Sequence, residues 1–220
     1  MIRLHHCVSA RSFRPLWALE ELGLAYELVM LPFPPRLHAR DFLEVNPAGT
    51  IPAFTDGETR MTESVAICEY LASRHDPGGL AVRPDEADYG AYLNWSDYGE
   101  ATLTFPQTIV LRYGRFEPQA RRLPQAVDDY TRWFLARLRS VEAVVARQDF
   151  LAAGRFTVAD ISVGYALMLA GYLGLSERFA APLRQYWERL RSRPAFERAM
   201  VAQQDAALAQ GVPSTPAPLA

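Results

Sequence analysis

The chain has 220 residues and 50% hydrophobic content, which suffices for two compact units with sizeable cores and excludes a disordered chain. Net charge is −2, and the 23 basic residues are all Arg, spread without a basic block, so the electrostatic footprint of nucleic-acid binding is missing. No apolar run approaches the ~20 residues that span a bilayer and no leader pattern follows Met1, so a cytoplasmic protein with no membrane partner is expected. The absence of Lys and the scarcity of Ile read as codon usage of a GC-rich bacterial genome.

In chain order, residues 2–8 read as a buried strand, 12–21 as a helix that tolerates Pro15 in its first turn and closes at Gly23, and 26–31 as a second strand. Strand, helix, strand implies a right-handed crossover and a parallel pair. After Pro32 to Pro35 a short helix is expected over 36–45, then a hairpin of 51–55 and 59–61 about Asp56-Gly57, then a helix over 64–75. This order is α/β and thioredoxin-like. The breaker cluster Asp76-Pro77-Gly78-Gly79, with Pro84 after it, marks a domain boundary. The expected division is a first domain over 1–76, a linker over 77–84, an all-helical domain over 85–210 and a frayed tail over 211–220.

Within the helical part, 85–113 is a long stretch that Pro106 should kink, 124–146 a second helix, 157–173 an apolar and therefore buried third, and 179–203 a final region broken at Pro194. Thr157 and Asp160 have capping-box spacing, with Phe156 and Ile161 placed as a hydrophobic staple. Asp160 is thus read as a capping residue and not as a catalytic acid. Cys7 and Cys68 are far apart, form no C-x-x-C and sit in apolar segments, so neither a disulfide nor a metal site is expected.

Two segments carry chemistry. Asn46-Pro47-Ala48-Gly49-Thr50-Ile51-Pro52 leads into the hairpin, and an X-Pro bond such as Ile51-Pro52, when cis, makes a tight turn whose preceding N–H and C=O can pair with an extended peptide. Ser64 opens a helix whose free N–H groups and positive end suit a carboxylate. Together they describe a slot for an anionic peptide. Ser9 follows the first strand, at the end of the sheet where ligands bind in open α/β folds.

These parts, in this order, resemble the thioredoxin-fold half of the cytosolic glutathione transferases, in which an NPxxxxP segment precedes a hairpin and a Glu/Gln-Ser pair. Ser9 with the following residues through Leu24, and Phe156 to Ile161 in the helical half, extend the resemblance over nearly the whole chain. It implies glutathione as co-substrate with no metal, held as a thiolate by the Ser9 hydroxyl and attacking a small apolar electrophile. It also implies that Ser64 takes the γ-glutamyl carboxylate and Glu63 faces the ammonium, that Thr50, Ile51 and Pro52 line the cysteinyl part, and that the protein is a homodimer.

Each residue has a plainer role to set beside this one. Ser9 could bond its own backbone, Ser12 and Ser64 could be helix N-caps, and Cys7, the thiol-transfer rival, lies two residues inside the strand and reads as core. His38, Arg36 and Arg40 are the cations near the glycyl carboxylate, and each reads more readily as a solvated helix residue. A second-substrate pocket between the domains would use Tyr98, Thr102, Phe105, Ile109 and Tyr113, placed on one helical face by their spacing, although such a stripe also suits core or dimer contact. Alternatives to conjugation are a non-catalytic binding or regulatory module, a dehalogenase, or a glutathione-dependent isomerase. Ser9-Ala10-Arg11-Ser12 lacks the Ser-Ser-Cys run of such isomerases.

Overall fold

The computed structural model describes residues 1–76 and 79–219, and Pro77 and Gly78 of the expected linker lie outside them, as does Ala220 of the tail. Four strands, β1 (Ile2–His6), β2 (Tyr26–Met30), β3 (Ala53–Asp56) and β4 (Thr59–Met61), form one sheet in the order β2-β1-β3-β4. β1 pairs parallel to β2 in the register Ile2 to Tyr26, while β3 runs antiparallel to both β1 and β4. The parallel pair is joined by α1 (Phe13–Leu22), which ends where Gly23 takes φ 61° and Leu24 N–H reaches Leu19 O. This is the expected thioredoxin-like arrangement. The helix expected over 36–45 is instead two single turns, α2 (Pro35–His38) and α3 (Phe42–Val45), while α4 (Ser64–His75) begins and ends as the pattern predicts.

Contacts divide the chain into Met1–Pro77 with Arg191–Ala220, and Gly78–Leu190. This differs from the expected division, because α10 (Pro194–Ala209) belongs with the sheet and not with the helical unit. The reason is apolar surface on α1: Phe196 packs edge-on against Phe13 and Trp17, with ring centroids 5.4 and 4.9 Å apart. Arg193 then pairs with Glu21 through two contacts of 2.6 and 2.8 Å. Gln210 covers the open edge of β2, accepting from Met30 N–H and donating to Leu28 O, both at 2.8 Å. Nor is the tail frayed: Ala217 is 3% exposed, and its N–H donates to Val8 O at 2.7 Å.

The second unit centres on α8 (Val158–Tyr172), buried from Val158 to Ala170 as its composition predicts. Its capping box forms, and the Asp160 carboxylate accepts from Leu151 N–H, Thr157 N–H, the Thr157 hydroxyl and the Tyr186 hydroxyl at 2.8 to 3.2 Å. Burial nevertheless raises its pKa to about 6. The stretch expected over 85–113 is α5 (Tyr89–Asp97), a π-helical run Tyr98–Thr104, α6 (Phe105–Leu111) and a second π-helical run Arg112–Phe116. The first π-run ends at Thr104, two residues before Pro106, where the sequence predicts a kink: Phe105 N–H and the Thr104 hydroxyl each reach back five residues, to Glu100 O and Gly99 O. Gly99 sits against α8 so closely that a Cβ there would lie 2.3 Å from Ser162 Oγ. α7 (Pro124–Val145) and α9 (Ala181–Arg191) follow the expected segments. Residues 79–86 are bound to this unit, since Arg155 pairs with Glu86 and donates to the carbonyls of Gly79 and Ala81.

Candidate active site

The chain leaves β1 after His6 and turns through residues 7–12 into α1, with Ala10 N–H donating to Cys7 O at 3.1 Å and Phe13 N–H to Ala10 O at 2.8 Å. Inside this turn Ser9 has φ 56°, a left-handed conformation that a side chain adopts only when its surroundings impose it. Gln203 on α10 imposes it. Ser9 N–H donates to Gln203 Oε1 at 2.8 Å, and Gln203 Nε2 donates to Ser9 Oγ at 3.3 Å. His6 Nε2 lies 3.0 Å from the same Oε1. An oxygen has no proton to give, so the His6 proton is on Nε2. Burial lowers the pKa of His6 to about 4, which keeps the ring neutral.

The two candidate hydroxyls are therefore both engaged and buried: Ser9 with Gln203, and Ser12 accepting from Cys7 N–H at 3.4 Å. Ser12 stands at the N-cap position of α1 yet makes no side-chain cap there. Arg11 is the one residue of 7–14 that is not buried. Cys7 is core, as expected, although it lies one residue past the end of β1, and burial pushes its thiol up to about 12, where the nucleophilic thiolate is negligible. Cys68 is likewise buried and its thiol raised.

Next to this turn lies the Asn46 segment. Asn46 is buried and staples it from inside, donating to Thr50 O at 2.7 Å and accepting from Ala48 N–H at 3.1 Å. Gly49 has φ 63° and is pressed against α2, where a Cβ would come within 2.8 Å of Arg36 Cβ. Arg36, His38 and Arg40 are all exposed, and the Arg36 backbone and Cβ lie beside Gly49. Ile51-Pro52 is cis, Thr50 is exposed, and the buried Ile51 belongs to one apolar cluster with Cys7, Ala10, Phe42, Ala53 and Ala217.

At the start of α4 the N-cap is Glu63, exposed and without a side-chain cap bond, so the N-cap role considered for Ser64 is not met. Ser64 is the first helical residue, 4% exposed, and its hydroxyl accepts from Arg14 Nη1 at 3.1 Å. Arg14 itself is wholly buried on α1. A buried guanidinium beneath the positive end of a twelve-residue helix makes this corner attractive to a carboxylate. Sequence reasoning missed Arg14, although an Arg between Phe13 and Pro15 in an otherwise apolar helix start was a usable signal. It also missed Gln203, for which no local signal exists 194 residues from Ser9.

The five residues expected on one helical face of the second unit straddle both π-helical runs, whose wider turn breaks the three-to-four spacing. Tyr98 packs on Trp95 and donates its hydroxyl to Arg137 O at 3.0 Å. Thr102 and Ile109 are half-buried, and Phe105 is 53% exposed. Tyr113 lines an open cleft of about 380 Å³ with Arg122, Pro124, Val127 and Thr131.

The family model described as glutathione S-transferase, N-terminal domain, matches residues 4–79. Glutathione S-transferase 3 of Zea mays is 30% identical over 204 residues, spanning 89% of this chain and 90% of the relative. Glutathione S-transferase GstB of Escherichia coli strain K12 is 27% identical over 193 residues, spanning 84% and 90%. A sphingomonad glutathione S-transferase, solved in complex with glutathione, superposes with a TM-score of 0.80 at 27% identity, covering 91% of this chain and 98% of that one.

Proposed function

Since the chain belongs to the glutathione S-transferase family, we propose that its first unit binds glutathione and activates the thiol as a thiolate for attack on an apolar electrophile. The observation that carries this reading is the corner at α4, where the buried Arg14 guanidinium meets Ser64 at the helix start. There the γ-glutamyl carboxylate accepts from the Ser64 N–H and hydroxyl, while the exposed Glu63 carboxylate faces the ammonium. Thr50, Ile51 and Pro52 line the cysteinyl part, Arg36 beside Gly49 takes the glycyl carboxylate, and the sulfur meets Ser9.

The chemistry is thiolate stabilisation and orientation. The thiol proton leaves to solvent. The sulfur lone pair then forms the carbon–sulfur bond as a leaving group departs with its electron pair, or adds to an activated alkene whose carbanion takes up a proton. A hydrogen bond to the charged sulfur contributes ~1.5 to 3 kcal/mol, or roughly one to two pH units on a thiol of ordinary pKa near 8.5. In this reading the protein works as a cytoplasmic homodimer, with Leu93, Phe105 and Trp133 among its exposed apolar side chains.

A second reading assigns the sulfur contact to Arg11, because it alone in the turn is not buried and a cation lowers a neighbouring thiol's pKa. Thiolate absorbance against pH, with glutathione bound, separates the two. Ser9→Ala should raise the bound thiol's pKa by about one to two units with Arg11→Ala unshifted; the reverse pattern assigns the role to Arg11. Ser64→Ala should weaken glutathione binding roughly ten- to hundredfold in calorimetric titration and leave the bound thiol's pKa unmoved. Unchanged affinity would remove the carboxylate corner from the reading.

A further inference from the structure

Gln203 has no exposed surface, and a buried primary amide is tolerated only when its donors and acceptor are used. All of them are. Its oxygen accepts from Ser9 N–H and His6 Nε2–H, and its nitrogen donates to Ser9 Oγ and to Met200 Sδ, the last at 3.3 Å. Three of the four bonds converge on the end of β1, and two of those three on Ser9. The bond to Ser9 N–H holds the backbone at φ 56°, which decides the direction of the Ser9 side chain. The bond into Ser9 Oγ acts on the hydroxyl itself. It occupies a lone pair, so the hydroxyl's own proton points elsewhere, and it draws electron density from the oxygen, which makes that proton a stronger donor.

We propose that Gln203 is a positioning residue for Ser9, its amide fixing the Ser9 hydroxyl as an acceptor on the inner side so that the hydroxyl's proton is delivered to the glutathione sulfur. His6 is the outer support of this device, since its Nε2–H gives the Gln203 oxygen a second donor and prevents the amide from flipping. The inference rests on the reading of Ser9 as the sulfur contact. It adds that a residue at the far end of the chain, touching no substrate, sets the strength of that contact.

Gln203→Met, close in volume and without amide hydrogen bonds, and Gln203→Asn, one methylene shorter, test it. Bound-thiol titration, KM for glutathione, kcat and a melting curve are measured on the full-length protein. Both variants should raise the bound thiol's pKa by about half a unit to one unit, lower kcat at neutral pH, and leave KM for glutathione within about twofold. Ser9→Ala added to Gln203→Met should shift the titration less than Ser9→Ala does alone. A purely structural Gln203 would lower the melting temperature with the titration unmoved in both variants, and that result overturns the inference. The two levels fail separately. If Ser9→Ala shifts the titration and neither Gln203 variant does, only the positioning role is lost; if Ser9→Ala itself shifts nothing, the Ser9 reading falls and takes this one with it. Should Gln203→Met not fold, Gln203→Asn, which keeps a polar amide in the buried space, decides on the same readout.

Discussion

Acid should loosen the first unit before the second. His6 is wholly buried, and its pKa falls from an ordinary 6.5 to about 4, a difference of about 2.5 units. At ~1.36 kcal/mol per unit, that is about 3 kcal/mol held by the neutral ring. The group is depressed in the folded state, so its contribution is complete above pH 6.5 and is lost as pH falls toward 4. Burial lowers His5 too, so it adds in the same direction. In the second unit Asp160 has the opposite sign: raised from 3.8 to about 6, its contribution is present below pH 3.8 and lost as pH rises through 6. Between pH 6 and 4 the first unit therefore weakens while α8 gains. Native-state hydrogen exchange at pH 6.5, 5.5 and 4.5, corrected for intrinsic rates and read by peptide, measures this directly. Protection in β1 and α10 should fall by about 2 kcal/mol over this range while protection in α8 holds. His6→Asn should flatten the pH profile of β1 and α10. Equal losses in both units, or an earlier loss in α8, would refute the reasoning.

Gly99→Ala should lower the melting temperature by several degrees, because the new methyl would meet backbone atoms of Ser162 and Val163 at 2.5 and 2.7 Å and overpacking costs about 1 to 3 kcal/mol or more. A melting curve within a degree of the parent chain would show that α8 yields. Ending the chain at Val212 removes the Ala217 N–H bond to Val8 and the Ala217 methyl from the cluster around Cys7 and Ile51. Cys7 should then be alkylated by a small reagent at least several-fold faster at a given pH. An unchanged alkylation rate counts against Ala217 as a cover for Cys7.

The thioredoxin-like order was legible because its signals are local. Gly23 ends α1, Asp56-Gly57 turns the hairpin, and Ser64 to His75 carries its own start and stop. The capping box at Thr157 was legible for the same reason. What failed depends on distance along the chain. Pro106 announced an irregularity but not its form, since a π-helical turn depends on how Gly99 packs against Ser162. The tail reads as frayed because Pro and Ala carry no partner signal, and its partner, Val8 O, lies more than two hundred positions away. At the site, the residues with motif spacing were named, whereas Arg14 and Gln203, which hold them, act through contacts that no spacing encodes.

The return of α10 to the sheet has a consequence for how the protein is made. A ribosome delivers the first unit's β-strands early, but the helix that covers Phe13 and Trp17 emerges only after the whole of the second unit. Until then the nascent chain must carry the uncovered aromatic face of α1 and the unguarded edge of β2, the surfaces most prone to wrong association. The second unit, being continuous, can complete itself in the meantime. The turn that holds Ser9, although translated early, is finished only once α10 brings Gln203 to it.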